Sequence, residues 1–335
     1  MLYVTTRDDR DAYTSHKAVC ENVGPDGGRY VPFSMPTFTQ DEIAVWQDKL
    51  FSQGVAEILN LFFPSRLSGW DVDFYIGRNI VHLQQMNHRI VIAELWRNLE
   101  GNYDYIEKCL AKAIFGDVPP VISHWMKVAV RIAILFGIYG EMRRNGVIQQ
   151  NEIFDVSVLS GDFTEPMVIY YAKKLGLPVG CIICTCTDNS SVWDFLQRGT
   201  FSPIGATKDL QLGLEQLILD IFDVSKVDQF MRCCQNGLSF SLDEEQLPLF
   251  NASFFSTVAG DNRATSTINS LFRTNRYVAD PRTALCFGGL QDYRARTGES
   301  KLTLLLSEQT PLDFADEIAK NIGINVIELE QLINS

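Results

Sequence analysis

Ile153-Phe154-Asp155-Val156-Ser157-Val158-Leu159, then Ser160-Gly161-Asp162-Phe163-Thr164-Glu165, and later Val179-Gly180-Cys181-Ile182-Ile183-Cys184-Thr185-Cys186 is the stretch that decides the fold. The first and last runs are rich in β-branched residues and short enough to be buried strands. Between them, residues 165–175 carry helical spacing and are closed by Gly176 and Pro178. A strand, a helix and a strand in this order predict parallel strands joined by a right-handed crossover. The fold class is therefore α/β. The turn Ser160–Glu165 enters a helix N-terminus, where free N–H groups and the positive dipole end suit an anion such as phosphate.

Working outward, residues 124–144 form a long helix that is apolar on most sides, which predicts a buried position. Arg143, Arg144 and Gly146 supply its stop. Residues 103–115 carry Ile106, Cys109, Leu110, Ala113 and Ile114 on one helical face. His88 to Trp96 reads as a strand. Thr39 and Glu42 fit a capping box that opens a helix over 40–50, and a second helix over 53–63 stops at Pro64. The first forty residues read as irregular, with a turn at Pro25-Asp26-Gly27-Gly28. Toward the C-terminus, helices are expected over 208–222, 225–235, 243–250, 264–273, 283–296 and 311–321, with a short strand at Leu302–Leu306.

The 335 residues are 46% hydrophobic and 21% charged, enough for a full core without disulfide or metal staples. The net charge of −12 argues against nucleic acid and anionic membranes as partners. The N-terminus Met1-Leu2-Tyr3-Val4-Thr5-Thr6-Arg7 has no apolar signal region. The longest apolar run, Ile132–Tyr139, is far short of the ~20 residues needed to span a bilayer. A cytoplasmic protein with reduced thiols is expected. Among its eight cysteines, Cys181, Cys184 and Cys186 are close together. They read as small apolar residues on a buried strand, because no second cluster completes a metal site.

Three motifs carry a family resemblance. Tyr3-Val4-Thr5-Thr6-Arg7 with Pro25-Asp26-Gly27-Gly28-Arg29-Tyr30-Val31-Pro32 resembles the N-terminal signature of threonine synthases. Ser160-Gly161-Asp162-Phe163, followed by Tyr171-Ala172-Lys173-Lys174-Leu175-Gly176-Leu177-Pro178, looks like that family's Ser-Gly-Asn-Phe-Gly loop and helix. Asp280-Pro281-Arg282-Thr283-Ala284 resembles the family's Asp-Pro-His-Thr-Ala. The resemblance implies a tryptophan-synthase-β-like, fold type II sheet flanked by helices. In the family this frame binds pyridoxal phosphate and converts phosphohomoserine to threonine.

The departures from the family pattern fall on its chemistry. The cofactor lysine follows a Glu-Leu-Phe/Trp-His-Gly-Pro-Thr run. The matching stretch here is Glu94-Leu95-Trp96-Arg97-Asn98-Leu99-Glu100-Gly101-Asn102-Tyr103-Asp104-Tyr105. Tyr103 falls at the lysine and Asp104 at the aspartate beside it. A Schiff base needs an amine there, and Lys108 is a turn further on. The short span between Trp96 and Trp125 implies that the family's small mobile subdomain is deleted. Asp162 replaces an asparagine and Thr164 a glycine in the phosphate loop of Ser160, Gly161, Asp162, Phe163 and Thr164. At ~4 Å, one like-charge pair costs about 4 kcal/mol at a surface dielectric. Asp162 as a helix N-cap needs no ligand at all. Glu308 stands where the family has a threonine facing the cofactor ring, and Asp313 where it has a basic residue.

The expected organisation is an N-terminal helical segment, residues 1–90, and a large α/β domain, residues 91–335, without the small substrate subdomain. The expected function is that of a pseudoenzyme without pyridoxal phosphate. It would bind a small amino-acid-like ligand or a protein, or dimerise, at the face left by the deletion. The alternatives are a repurposed cleft using His124 or carboxylates drawn from Glu308, Asp162 and Asp104, and a residual pyridoxal-phosphate-dependent lyase or synthase on an amino-acid substrate, its cofactor held through Lys108 or noncovalent contacts. No metal site, Gly-x-x-x-x-Gly-Lys loop, HExxH motif or Ser-His-Asp order is found.

Overall fold

The computed structural model describes residues 1–78, 81–97, 103–119, 121–186 and 191–334. The first forty residues are more regular than their turn-rich composition suggests. Strand β1 (Leu2–Thr5) pairs antiparallel with β2 (Tyr13–Thr14) on one side. After helix α1 (Ser15–Cys20), β3 (Tyr30–Pro32) pairs with its other side. This small sheet corrects the irregular reading. Its strands are too short to show a period in the sequence, and they form because Tyr3 and Tyr30 are buried in the main core.

Helix α2 (Gln40–Ala44) has the expected capping box, Thr39 with Glu42, and continues as a 3₁₀ turn to Asp48. Helix α3 (Phe51–Phe62) ends before Pro64. Helix α4 (Gly69–Ile76) follows, capped by Ser68 and Asp71. The run expected as one strand from His88 to Trp96 is the second half of a hairpin. β4 (His82–Asn87) pairs antiparallel with β5 (Ile90–Glu94). β4 is polar at most positions because it is the edge of the sheet, so its strand character was hidden. It also places the end of the 1–90 segment inside the main sheet.

Helix α5 (Tyr103–Phe115) and helix α6 (His124–Arg144) have the predicted bounds. Only the stretch 116–123 joins them, so no subdomain stands between them. α6 is buried nearly throughout. Its Gly137 and Gly140 let Phe51 and Trp46 reach its backbone; a Cβ at 137 would lie 2.6 Å from the Phe51 ring.

The predicted β-α-β unit is β6 (Phe154–Leu159), α7 (Thr164–Lys174) and β7 (Val179–Cys186), with β6 and β7 parallel. Then come α8 (Ser191–Arg198), β8 (Thr200–Phe201), α9 (Lys208–Ile221), α10 (Val224–Gln235), β9 (Phe240–Ser241) and α11 (Gln246–Asn251). β10 (Phe254–Val258), missed in the sequence, precedes α12 (Asp261–Asn275), α13 (Pro281–Thr297) and β11 (Thr303–Ser307). α14 (Ala315–Ile322) and α15 (Val326–Asn334) end the described chain.

The central sheet runs β10-β7-β6-β11-β5-β4, parallel except for β4. Successive residues alternate between two cores: Val91, Ala93, Ile182 and Leu304 face one, Ile90, Ile92, Ile183 and Leu305 the other. The first core also holds α3, α6 and α7, and the second holds α12 and α13. The result is helices on both faces of a parallel sheet. Cys184 and Cys186 lie in the first core while Cys181 packs against the second. They cannot share a metal, and burial pushes the Cys181 thiol up to about 12 and that of Cys186 to about 11.

Candidate active-site cleft

β6 and β11 are neighbours, and the chain leaves their carboxyl ends in different directions, β6 towards β7 and β11 towards the C-terminus. Such a switch point opens a crevice. A cleft of about 640 Å³ lies there, lined by the loop after β6, the first turns of α6, and Glu308 just past β11. A cavity of about 30 Å³, lined by Glu165, Arg282 and Glu308 among others, adjoins it.

The loop Ser160–Phe163 turns through two positive φ angles, Gly161 at 43° and Phe163 at 69°. Phe163, buried in the core, occupies the N-cap position of α7. Asp162 is thus one residue before the cap. Its carboxylate still folds back, Oδ1 accepting the Thr164 N–H at 3.0 Å. The loop therefore carries an anion of its own on an amide that a bound phosphate would use. Among the described residues, the N–H groups of Gly161 and Asp162 make no hydrogen bond.

At the bottom of the cleft, a guanidinium that the sequence reading missed organises the charges. Arg131 lies halfway along α6, with Nε donating to Glu107 at 3.1 Å and a second nitrogen in contact with Glu165. Its Cζ is 4.3 Å from the Tyr103 ring centre. Burial opposes its charge, but Glu165, Tyr103, Glu107 and Glu308 outweigh burial and hold the proton more firmly. A lone arginine within the otherwise apolar run from Val128 to Tyr139 was the available signal. Tyr103 is fully enclosed, and burial with Glu308 and Glu165 drives its phenol well above the ordinary range. Tyr103 thus lies beside Arg131, with Glu165 and Glu308 close by, while Asn98–Asn102 lie outside the described residues. Glu107 is raised by burial against the pull of Arg131. Glu308 is pushed up to about 8 by burial and then by Glu165, with Arg131 and Arg282 opposing. The second carboxylate oxygens of Glu107 and Glu165 are buried without a partner.

His124 opens α6, and its backbone N–H donates to Asn22 at 3.0 Å. Its Nε2 accepts from Arg29 at 3.1 Å, since a guanidinium can only donate. Burial, then Arg29, Arg131 and Lys127, push its pKa well below the ordinary value. His124 is therefore a neutral imidazole whose lone pair is engaged, an unsuitable general base. Arg29 also pairs with Asp209 at 3.0 Å.

Asp104 is on the exposed side of α5 and does not line the cleft. Of the expected carboxylates, Glu308 and Asp162 both line the cleft, and Asp104 does not. Glu165 and Asp209 line it with them, and no metal-capable cluster occurs among the described residues. Lys108 is exposed on α5, away from the cleft lining. Lys127, one turn into α6, is the lysine that does line it, and among the described residues its side-chain ammonium makes no hydrogen bond or ion pair. The Arg282 side chain likewise has none, while its backbone N–H donates to Asp280 at 2.9 Å; Asp280 is the buried cap of α13 and holds Ser307 of β11 at 3.1 Å.

Known proteins share this frame. The threonine synthase N terminus family model matches residues 2–78. The structure of pyridoxal-phosphate-bound threonine synthase from Brucella melitensis superposes with a TM-score of 0.80 at 15% identity, over 100% of this chain and 94% of that one. Yeast threonine synthase superposes with a TM-score of 0.79 at 15% identity, over 96% and 90%. The chain has a threonine-synthase-like fold. Threonine synthase from Pseudomonas aeruginosa is 20% identical over 430 residues, 96% of this chain and 90% of the relative. That length exceeds the 335 residues here, so part of the relative has no counterpart. Human threonine synthase-like 1 is 22% identical over 174 residues, 48% of this chain and only 23% of that protein. The threonine-synthase-like chain thus spans less than a quarter of that relative. No helix among the described residues is long and apolar enough to cross a membrane.

Proposed function

We propose that this threonine-synthase-like chain has given up pyridoxal-phosphate catalysis and uses its cleft to bind a small amino-acid-like ligand. The observation that carries the reading is the group at the end of the cleft: Tyr103, Arg131, Glu165 and Glu308 pack together where the family pattern puts the cofactor lysine. The fit to the cofactor is poor at both ends. Asp162 already occupies the Thr164 amide of the phosphate loop. A carboxyl with a raised pKa, Glu308, stands where the family has a threonine toward the cofactor ring.

What remains suits reversible binding. Four cations, Arg29, Lys127, Arg131 and Arg282, share the lining with four carboxylates, Asp162, Glu165, Asp209 and Glu308. Mixed charge of this kind favours a molecule that carries both signs. A protein partner or a second copy at the neighbouring surface is a further part of this reading, supported by exposed Val118 and Val121 in the α5–α6 connection. Among retained-cofactor readings, Lys127 is the candidate amine, because it lines the cleft unpaired.

Titration with pyridoxal phosphate decides between these. The expected result is no Schiff-base absorbance and no borohydride-fixed adduct by peptide mass mapping. A stoichiometric adduct at Lys127 would overturn the proposal.

A further inference from the structure

A second pocket, of about 170 Å³, lies at the carboxyl end of β5 and shares no lining residue with the cleft. Its floor is Glu94, whose side chain is 1% exposed. One oxygen, Oε2, takes His82 Nδ1 at 2.7 Å and Arg97 Nε at 2.5 Å. The other, Oε1, is buried with no partner, and so is the indole N–H of Trp96. The Tyr277 hydroxyl is buried beside Glu94 and Ser307, and burial with Glu94 raises its pKa, but it makes no well-formed hydrogen bond to either. Unmet polar groups at this depth are uncommon and call for an explanation.

The rim is cationic. Arg97 lies over Trp96 with Cζ 4.6 Å from the ring centre. Arg276, at the end of α12, is exposed beside Phe272 and makes no ion pair among the described residues. A buried oxygen that lacks a donor and a guanidinium that lacks an anion thus line one small pocket.

We propose that this pocket binds a small zwitterion of the amino-acid class, with its ammonium on Glu94 Oε1 and its carboxylate on Arg276. Trp96 and Tyr277 then supply donors to the carboxylate or to a side-chain oxygen. These buried atoms are closed off from bulk water, so ligand entry moves the side chains that cap them. The site is distinct from the cleft and does not depend on the function assigned there.

The test uses the full chain, with the L-α-amino acids singly at millimolar concentration and with acetate and methylammonium as separate arms. Melting midpoint and titration calorimetry are the readouts. At least one amino acid is expected to raise the midpoint and to show one binding event per chain that Arg276→Ala weakens, whether or not the cleft also binds, while acetate and methylammonium show no such event. Arg276→Ala, a surface change that leaves the core intact, is expected to weaken binding about tenfold or more. Glu94→Gln is expected to do the same, and Lys127→Ala in the cleft is expected to leave this affinity unchanged. No binding by any amino acid overturns the proposal, as does equal binding of acetate alone. Loss of binding in Lys127→Ala but not in Arg276→Ala places the ligand in the cleft and also overturns it.

Discussion

Replacing Glu308 by glutamine probes the charge balance at the end of the cleft. Burial, with Glu165 adding to it, moves this carboxyl from 4.5 up to about 8, against Arg131 and Arg282. The unfolded chain ionises near the ordinary value, so between the two pKa values the folded state binds the proton more tightly. The contribution of Glu308 to stability is therefore full below the unfolded pKa and is lost as pH rises through the folded one. At about 1.36 kcal/mol per pKa unit, the shift caps the loss at about 5 kcal/mol. The carboxyl keeps some contact with solvent and divides the local charge with Glu165, so about 2–3 kcal/mol is the expected size. Glutamine keeps the shape and cannot ionise. Urea unfolding at about pH 5 and about pH 9 should show the native chain losing that amount relative to Glu308→Gln. A difference between the two proteins that is the same at both pH values would refute the assignment, because the titrating groups that do not interact with Glu308 cancel in the comparison.

Further changes test other links. Asp162→Asn keeps an acceptor for the Thr164 amide but removes the charge; inorganic phosphate should then bind at least about tenfold tighter by calorimetry, since a like-charge pair at ~4 Å costs about 4 kcal/mol. Unchanged affinity would show that Asp162 does not set the repulsion. Arg131→Leu strips the counter-charge from Glu107 and Glu165 and should cost about 3–5 kcal/mol in urea unfolding, with part recovered by adding Glu165→Gln. In Gly289→Ala the new methyl would run into the hydroxyls of Thr185 and Thr257 under α13, so a loss of at least about 2 kcal/mol is expected; a melting curve like that of the native chain would contradict this packing.

Much of the fold could be read from the chain because its signals are local. The bounds of α6 follow from an apolar run that stops at Arg143, Arg144 and Gly146, and the structure adds Ser123 as its cap. The strand–loop–helix of β6 and α7 follows from a β-branched run that breaks at Gly161. The capping box at Thr39 is complete within four residues. The edge strand β4 was not legible, because an edge needs no apolar period. Nor was β10, whose Phe254 and Phe255 find opposite cores only once the sheet exists.

The cleft divides in the same way. The sequence by itself determined the frame, the altered phosphate loop, and the lack of any lysine between Lys49 and Lys108, since each is a matter of which residues stand in a short motif. Only the tertiary structure decided that Arg131 binds Glu107 and Glu165, that Arg29 takes the lone pair of His124, and that Asp104 faces away. The physical reason is that charge interactions act through space and depend on burial. His124 and Arg29 are 95 positions apart in the chain yet lie 3.1 Å apart across the cleft wall. No local pattern encodes that distance, and the protonation state of the histidine depends on it.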